Sequence, residues 1–217
     1  MVRIQKLEEP QILKDNAVKW TNEYLDYIRR GETIPNSVKR RYAHEDIKKQ
    51  LLKETHEKCA YCESKFTHIE PGDIEHIKPK NPNAHPELYV TWTNLTLSCE
   101  TCNRSGKGTY NNDDEPLLDP YNDDIENEIL GLGPMIFSRK GSRKGQITID
   151  ILKLNRSELV ERRAEKLEKI DMMRRQYEHE QNASYKQILL NSIKEEIAAD
   201  KEYSFIAHEY CVNYGLL

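Results

Sequence analysis

Apolar positions recur at helical spacing over residues 11–30 (Leu13, Ala17, Trp20, Tyr24, Leu25, Ile28) and stop at Gly31, which predicts a first helix. GETIPNS (31–37) reads as a loop, and a second helix is expected from about His44 to Thr55 with Ile47, Leu51 and Leu52 inward. From 66 to 98 short apolar runs alternate with Pro, Gly and Asn, the punctuation of strands and loops. Met135-Ile136-Phe137 and Gln146-Ile147-Thr148-Ile149 read as two strands around the basic turn SRKGSRKG. The last sixty or so residues return to helical spacing. Ser157 is the expected cap of a helix carrying Leu159, Val160, Leu167, Ile170, Met173 and Tyr177. Asn182-Ala183-Ser184 interrupts it. A further helix follows with Ile188, Leu189, Ile193 and Ile197, and a last one with Tyr203, Ile206 and Tyr210 closes near Gly215.

These patterns predict an α+β fold in four stretches: an N-terminal helical flank (1–58), a small central core (59–110), an acidic loop and basic hairpin (111–153) and a C-terminal helical region (154–217). Composition adjusts the picture only slightly. The chain has 217 residues, 32% of them charged, and a mean hydropathy of −0.85. That is polar, yet the periodic apolar runs argue for a folded protein. No run approaches the ~20 apolar residues of a membrane span. The opening MVRIQKLEEPQ lacks the apolar core of a secretory signal, so a cytoplasmic protein is expected. Net charge is −4, which excludes a surface coated throughout with phosphate-binding groups. The charge is uneven: 111–130 is strongly acidic and 131–153 is basic, so any nucleic-acid surface must be local.

Four of the five cysteines form two pairs, Cys59-Ala60-Tyr61-Cys62 and Cys99-Glu100-Thr101-Cys102, separated by 36 residues. Thiols stay reduced inside cells, and each pair has the spacing that turns two thiolates toward one tetrahedral ion. A structural Zn²⁺ on Cys59, Cys62, Cys99 and Cys102 is expected. Cys211 lies on an apolar helix face and is expected to be packed.

Between the pairs lies Gly72-Asp73-Ile74-Glu75-His76-Ile77-Lys78-Pro79-Lys80, followed by Trp92-Thr93-Asn94-Leu95 and Cys102-Asn103-Arg104. Phosphodiester hydrolysis needs a base to deprotonate water and a cation to offset charge on the phosphate and leaving oxygen. A hard divalent ion, Mg²⁺ or Mn²⁺, favours carboxylate and amide oxygens, which Glu75 and Asn103 supply. His76 titrates near neutrality when unperturbed, as suits a base. Asn94 is better placed to orient the loop carrying His76 than to react. Trp92 is expected to anchor the core, and His56, His68 and His85 show no partner pattern.

Glu75-His76, Trp92-x-Asn94-Leu95 and Cys102-Asn103, framed by the two cysteine pairs, resemble the HNH nuclease family and its ββα-metal fold. The resemblance implies that Glu75 and Asn103 bind the catalytic metal, His76 is the general base and Asn94 is structural. Two departures stand out. Glu replaces the commoner Asp, one methylene longer, which makes Asp73 the alternative acidic ligand. Asn replaces His at the last position, a variant the family also uses.

A narrower resemblance spans nearly the whole chain. MVRIQKLEEP, KCAYCES, DIEHIKPK, W-x-NL-x-LSC-x-x-CNRS-x-KG and ITIDILKLNRSEL, in that order, look like PtuB-type nuclease subunits of Septu-type and retron-associated antiphage systems. The likeness implies an ABC-type ATPase partner (PtuA-like) and nucleic acid, phage DNA above all, as substrate. Lys78, Lys80, Arg104 and Lys107 beside the site, and Arg139, Lys140, Arg143 and Lys144 in the basic turn, are the candidate nucleic-acid contacts. Two rival readings use the same residues: a non-catalytic zinc adaptor, and a ribonuclease, since RNA presents the same phosphodiester.

Overall fold

The computed structural model describes residues 1–217 and divides into two compact units. One comprises residues 4–60 and 66–114. The other comprises 1–3, 61–65 and 115–217.

In the first unit, α1 (Gln11–Arg29) starts after Pro10, whose carbonyl accepts from the amides of Leu13 and Lys14. It ends where Gly31 takes φ +65° and paired bonds, Gly31 N–H to Ile28 O and Glu32 N–H to Tyr27 O, close the last turn. A short α2 (Asn36–Lys39) and a 3₁₀ turn (Arg41–Ala43) occupy the stretch between the two expected helices. α3 (Glu45–Glu54) follows, capped by the His44 imidazole, which accepts from the Asp46 amide. Leu13, Ile47 and Leu51, at the inward positions the periodicity predicts, are fully buried.

Two short antiparallel strands come next, β1 (Asp73–His76) and β2 (Leu95–Ser98), in the register Asp73↔Ser98, Ile74↔Leu97, Glu75↔Thr96 and His76↔Leu95. Gly72 makes the entry to β1 possible. Its φ is +68°, and a Cβ there would stand 2.2 Å from the Phe66 ring. A π-helix (Thr101–Lys107) follows β2, marked by the five-residue bond from Gly108 N–H to Asn103 O at 2.7 Å. Trp92 is buried, and its indole N–H donates to Leu7 O at 2.7 Å. It is a core anchor.

In the second unit, α4 (Ile125–Glu128) leads into the antiparallel pair β3 (Ile129–Leu132) and β4 (Met135–Ser138). α5 (Arg143–Ile151), α6 (Ser157–His179), α7 (Ala183–Glu196) and α8 (Ser204–Asn213) complete it. Ile170, Ile193, Ala207, Cys211 and Leu216 form one buried cluster, so Cys211 is packed as its helix face predicts. Gly215 closes α8 at φ +65°, with Leu216 N–H bonded to Cys211 O.

Three expectations are corrected here. Gln146–Ile149 is helix, not strand. Ser142 caps α5 through its hydroxyl, which accepts from the Gly145 amide, and the consecutive residues Ile147, Thr148 and Ile149 are all buried, a pattern no alternating strand gives. The hairpin is therefore β3–β4, tightly turned at Gly133, and the basic segment lies beyond it. Arg156, not Ser157, stands at the N-cap of α6, with no side-chain bond to the helix. Nor is the acidic stretch 111–130 wholly loop: Leu118, Tyr121, Ile125 and Ile129 are buried, while Asp119 and Asp123 bond turn amides. No helix is long and apolar enough to cross a membrane.

Candidate active site and metal centre

One ligand atom from each of Cys59, Cys62, Cys99 and Cys102 lies within 4.8 Å of the others, and all four residues are buried. Four thiolates at the Zn–S distance of about 2.3 Å from a tetrahedral ion would stand roughly 3.8 Å apart. The donor set is all sulfur and in reach of one Zn²⁺, so the residues fit the metal. Two details suit thiolate charge: the Cys102 amide donates to Cys99 Sγ at 3.5 Å, and Cys62 Sγ lies 3.4 Å from Ser64 Oγ. The Ala60 amide donates to Leu97 O at 2.9 Å, tying the first cysteine pair to β2.

β1 then sorts the candidate catalytic residues by face, because alternate side chains leave a strand on opposite sides. Asp73 and Glu75 share one face, where the π-helix supplies their partners. Asn103 Nδ2 donates to Asp73 Oδ2 at 2.9 Å, and Arg104 grips both Asp73 oxygens at 3.0 Å. Burial alone would raise the Asp73 pKa, but the bonds from Arg104 and Asn103 outweigh it and hold the carboxyl below its ordinary value. Glu75, 7% exposed, is ion-paired with Lys107, whose ammonium also donates to the carbonyls of His76 and of Ile77. Asn103 is thus joined to Asp73, while Glu75 is joined to Lys107.

His76 leaves the other face into a setting built by the N-terminal flank. The residue is 5% exposed, and its ring meets the Tyr42 ring edge-on, centroids 4.7 Å apart. Nε2 lies 2.8 Å from the carbonyl oxygen of Tyr89, which only accepts, so this nitrogen carries the proton. The lone pair is left on Nδ1, and Lys80 Nζ stands 3.4 Å from it, resting 4.1 Å over the Tyr42 ring. Burial, and then the Lys80 charge, push the His76 pKa down to about 3, against the pull of the Tyr89 bond. Burial likewise lowers Lys80 to about 8, with Glu75 opposing and Lys39 and Lys107 adding to the drop.

Asn94 is buried beneath the chain that leaves β1. Its Oδ1 accepts from the Lys78 amide at 2.8 Å, and its Nδ2 donates to Lys78 O at 2.9 Å. The backbone of Asn94 adds a third tie, accepting from the Ile77 amide at 2.9 Å.

The remaining basic candidates separate by environment. Lys78 is exposed. Lys107 is buried on Glu75 rather than open to a phosphate. In the basic segment, Arg139 Nε donates to Glu126 O, Arg143 to Glu115 at 2.8 Å and Lys144 to Asp123 at 2.7 Å, while Lys140 is exposed. The acidic block thus balances much of the basic one. Sequence reading missed Tyr42, the Tyr89 carbonyl and the inward turn of Lys107. No periodicity marks an aromatic from a distant flank or a main-chain acceptor.

Residues 59–107 match the HNH endonuclease family model. Named relatives align with more of the chain than this segment. The chain is 32% identical over 157 residues to the Septu protein PtuB of Bacillus thuringiensis, an alignment covering 71% of this chain and 55% of that protein. It is 31% identical over 160 residues to the Septu protein PtuB of Bacillus mycoides, covering 60% of this chain and 54% of the relative. A Vibrio cholerae protein whose name carries retron Vc95 and HNH endonuclease is 34% identical over 123 residues, covering 52% of this chain and 60% of that one. The chain spans about half the length of the curated Septu relatives it matches.

Proposed function

We propose that this chain is a metal-dependent HNH endonuclease that hydrolyses phosphodiester bonds of nucleic acid, phage DNA first among them, as the effector of an antiphage complex with an ABC-type ATPase. The single observation that carries the chemistry is the tautomer of His76. With Nε2–H spent on the Tyr89 carbonyl, the basic nitrogen is Nδ1, and the nearest cation to it is Lys80. The Septu and retron names of the relatives support the defence setting, and the ATPase partner is what the resemblance to PtuB-type subunits implies.

His76 is neutral at physiological pH, the form a base requires, but a group of pKa about 3 draws protons weakly. A phosphate bound beside it supplies what is missing. Its negative charge attracts the Lys80 ammonium away from Nδ1 and raises the proton affinity of the imidazole, so the base strengthens only when substrate arrives. His76 Nδ1 then takes the proton of the attacking water while Lys80 offsets charge on the phosphate oxygens. Asn94 holds the Lys78 segment, and with it the distance from His76 to Lys80. On the acid face, Asp73 and Asn103 are neighbouring oxygen-bearing groups on the half-buried side of β1, and they fit Mg²⁺ or Mn²⁺. When bound, that ion would polarise the phosphate and steady the leaving oxygen.

The test is cleavage by the chain co-purified with its ATPase. Phage DNA and tRNA are offered separately, with Mg²⁺ or Mn²⁺ and with EDTA. Metal-dependent cutting that His76→Ala abolishes, at unchanged zinc content and circular dichroism, is the expected result. Cutting by His76→Ala at the wild-type rate removes His76 as base. Cleavage of tRNA alone makes the enzyme a ribonuclease, and no cleavage of either substrate leaves the adaptor reading.

A further inference from the structure

Lys107 ends the π-helix with its ammonium sealed from water: the residue is 5% exposed, and its partner Glu75 is 7% exposed. An ammonium has three hydrogens, and this one meets three oxygens: Glu75 Oε1, the His76 carbonyl and the Ile77 carbonyl, the last at 2.9 Å. Its donor set is full. The contrast with the neighbouring acid decides the matter. The Asp73 side chain is 23% exposed and its partner Arg104 is 62% exposed, so that guanidinium can swing into solvent and free the carboxylate. Freeing Glu75 instead would strand a buried ammonium, the costly half of breaking a buried ion pair.

We propose that Lys107 is the resident cation of Glu75. It pins the end of β1 that carries the base through the carbonyls of His76 and Ile77, and it withdraws Glu75 from divalent-metal coordination. Lys107 is thus a positioning residue and not a phosphate contact, and Glu75 serves as its counter-charge. The choice between Glu75 and Asp73 as metal ligand rests on the nuclease reading above, but the measurements that decide it need no cleavage.

The experiment uses the full zinc-loaded chain, with Mn²⁺ binding followed by electron paramagnetic resonance and thermal unfolding by circular dichroism. Glu75→Gln and Lys107→Gln alone each leave one buried charge unpaired, and each is expected to lower Tm by about 6–15 °C. The double variant Glu75→Gln/Lys107→Gln removes both charges and is expected to recover much of that loss. Its Mn²⁺ dissociation constant is expected within about twofold of wild type, because the pair is not the ligand set. Asp73→Asn is expected to weaken Mn²⁺ binding about tenfold or more. Strictly additive Tm losses overturn the pairing. A double variant that loses Mn²⁺ while Asp73→Asn keeps it returns Glu75 to the metal. Should wild type bind no Mn²⁺, the metal requirement of the nuclease reading fails, and the thermal coupling still decides the role of Lys107.

Discussion

The Nε2 of His76 and the carbonyl oxygen of Tyr89 lie 2.8 Å apart, which sets the tautomer of the imidazole from a residue thirteen positions away. That acceptor is itself well held. The Tyr89 ring stacks on Tyr24 at 4.2 Å and 6°, and its hydroxyl donates to Val38 O. The N-terminal flank, outside the matched HNH segment, therefore contributes to the placement of the imidazole.

Burial of neutral His76 makes stability depend on pH. The folded-state pKa, about 3, is below the ordinary 6.5, so the unfolded chain binds the proton first as pH falls. The stability owed to this group is complete above pH 6.5 and is lost progressively as pH drops from there toward 3. Urea unfolding of wild type and His76→Phe across this range checks it. The wild-type midpoint is expected to fall more steeply on acidification, and parallel curves would refute the assignment.

Under the proposed mechanism, Lys80 is expected to give the reaction an alkaline limb. Its ammonium, lowered to about 8, discharges above that pH in the free enzyme and no longer offsets phosphate charge. kcat/KM is expected to decline above about pH 8, and Lys80→Arg, which keeps its charge, should carry the limb to higher pH. A limb at the same position in Lys80→Arg would assign it to another group.

Asn94→Ala deletes the side chain that meets both backbone polar groups of Lys78, leaving a buried donor and acceptor unmatched. A loss of about 2–4 kcal/mol of stability is expected from two such groups. Activity should fall further than stability explains, because the distance from His76 to Lys80 loosens. Denaturant titration paired with single-turnover cleavage of the still-folded fraction separates the two effects.

Cys59→Ser removes one thiolate from the four-sulfur cluster. Zinc measured by atomic absorption is expected to fall well below one ion per chain, with Tm lowered by about 10 °C or more, because structural zinc binding is folding energy. Full zinc occupancy at an unchanged Tm would reject the structural role.

Much of this fold is legible along the chain because the features are local. α1 and α3 follow their 3.6-residue periodicity to within a residue or two, and Gly31 and Gly215 stop helices where a left-handed residue must stand. The segment Gln146–Ile149 is not legible in that way. Ile-Thr-Ile is β-branched at alternate and intervening positions, so local preference favours strand, and burial of all three residues together with the Ser142 cap settles it as helix.

The sequence by itself determined the donors: four cysteines in two pairs, an acid–His dipeptide and two asparagines at the HNH spacing, because ligand chemistry and short-range spacing are written in residue order. Only the tertiary structure decided which donors meet. It joins Asn103 to Asp73 and Glu75 to Lys107, and it brings Tyr42 and the Tyr89 carbonyl to the His76 ring. The reason is physical. Strand alternation sends neighbouring residues 75 and 76 to opposite faces, and what each then touches depends on elements far away in the chain.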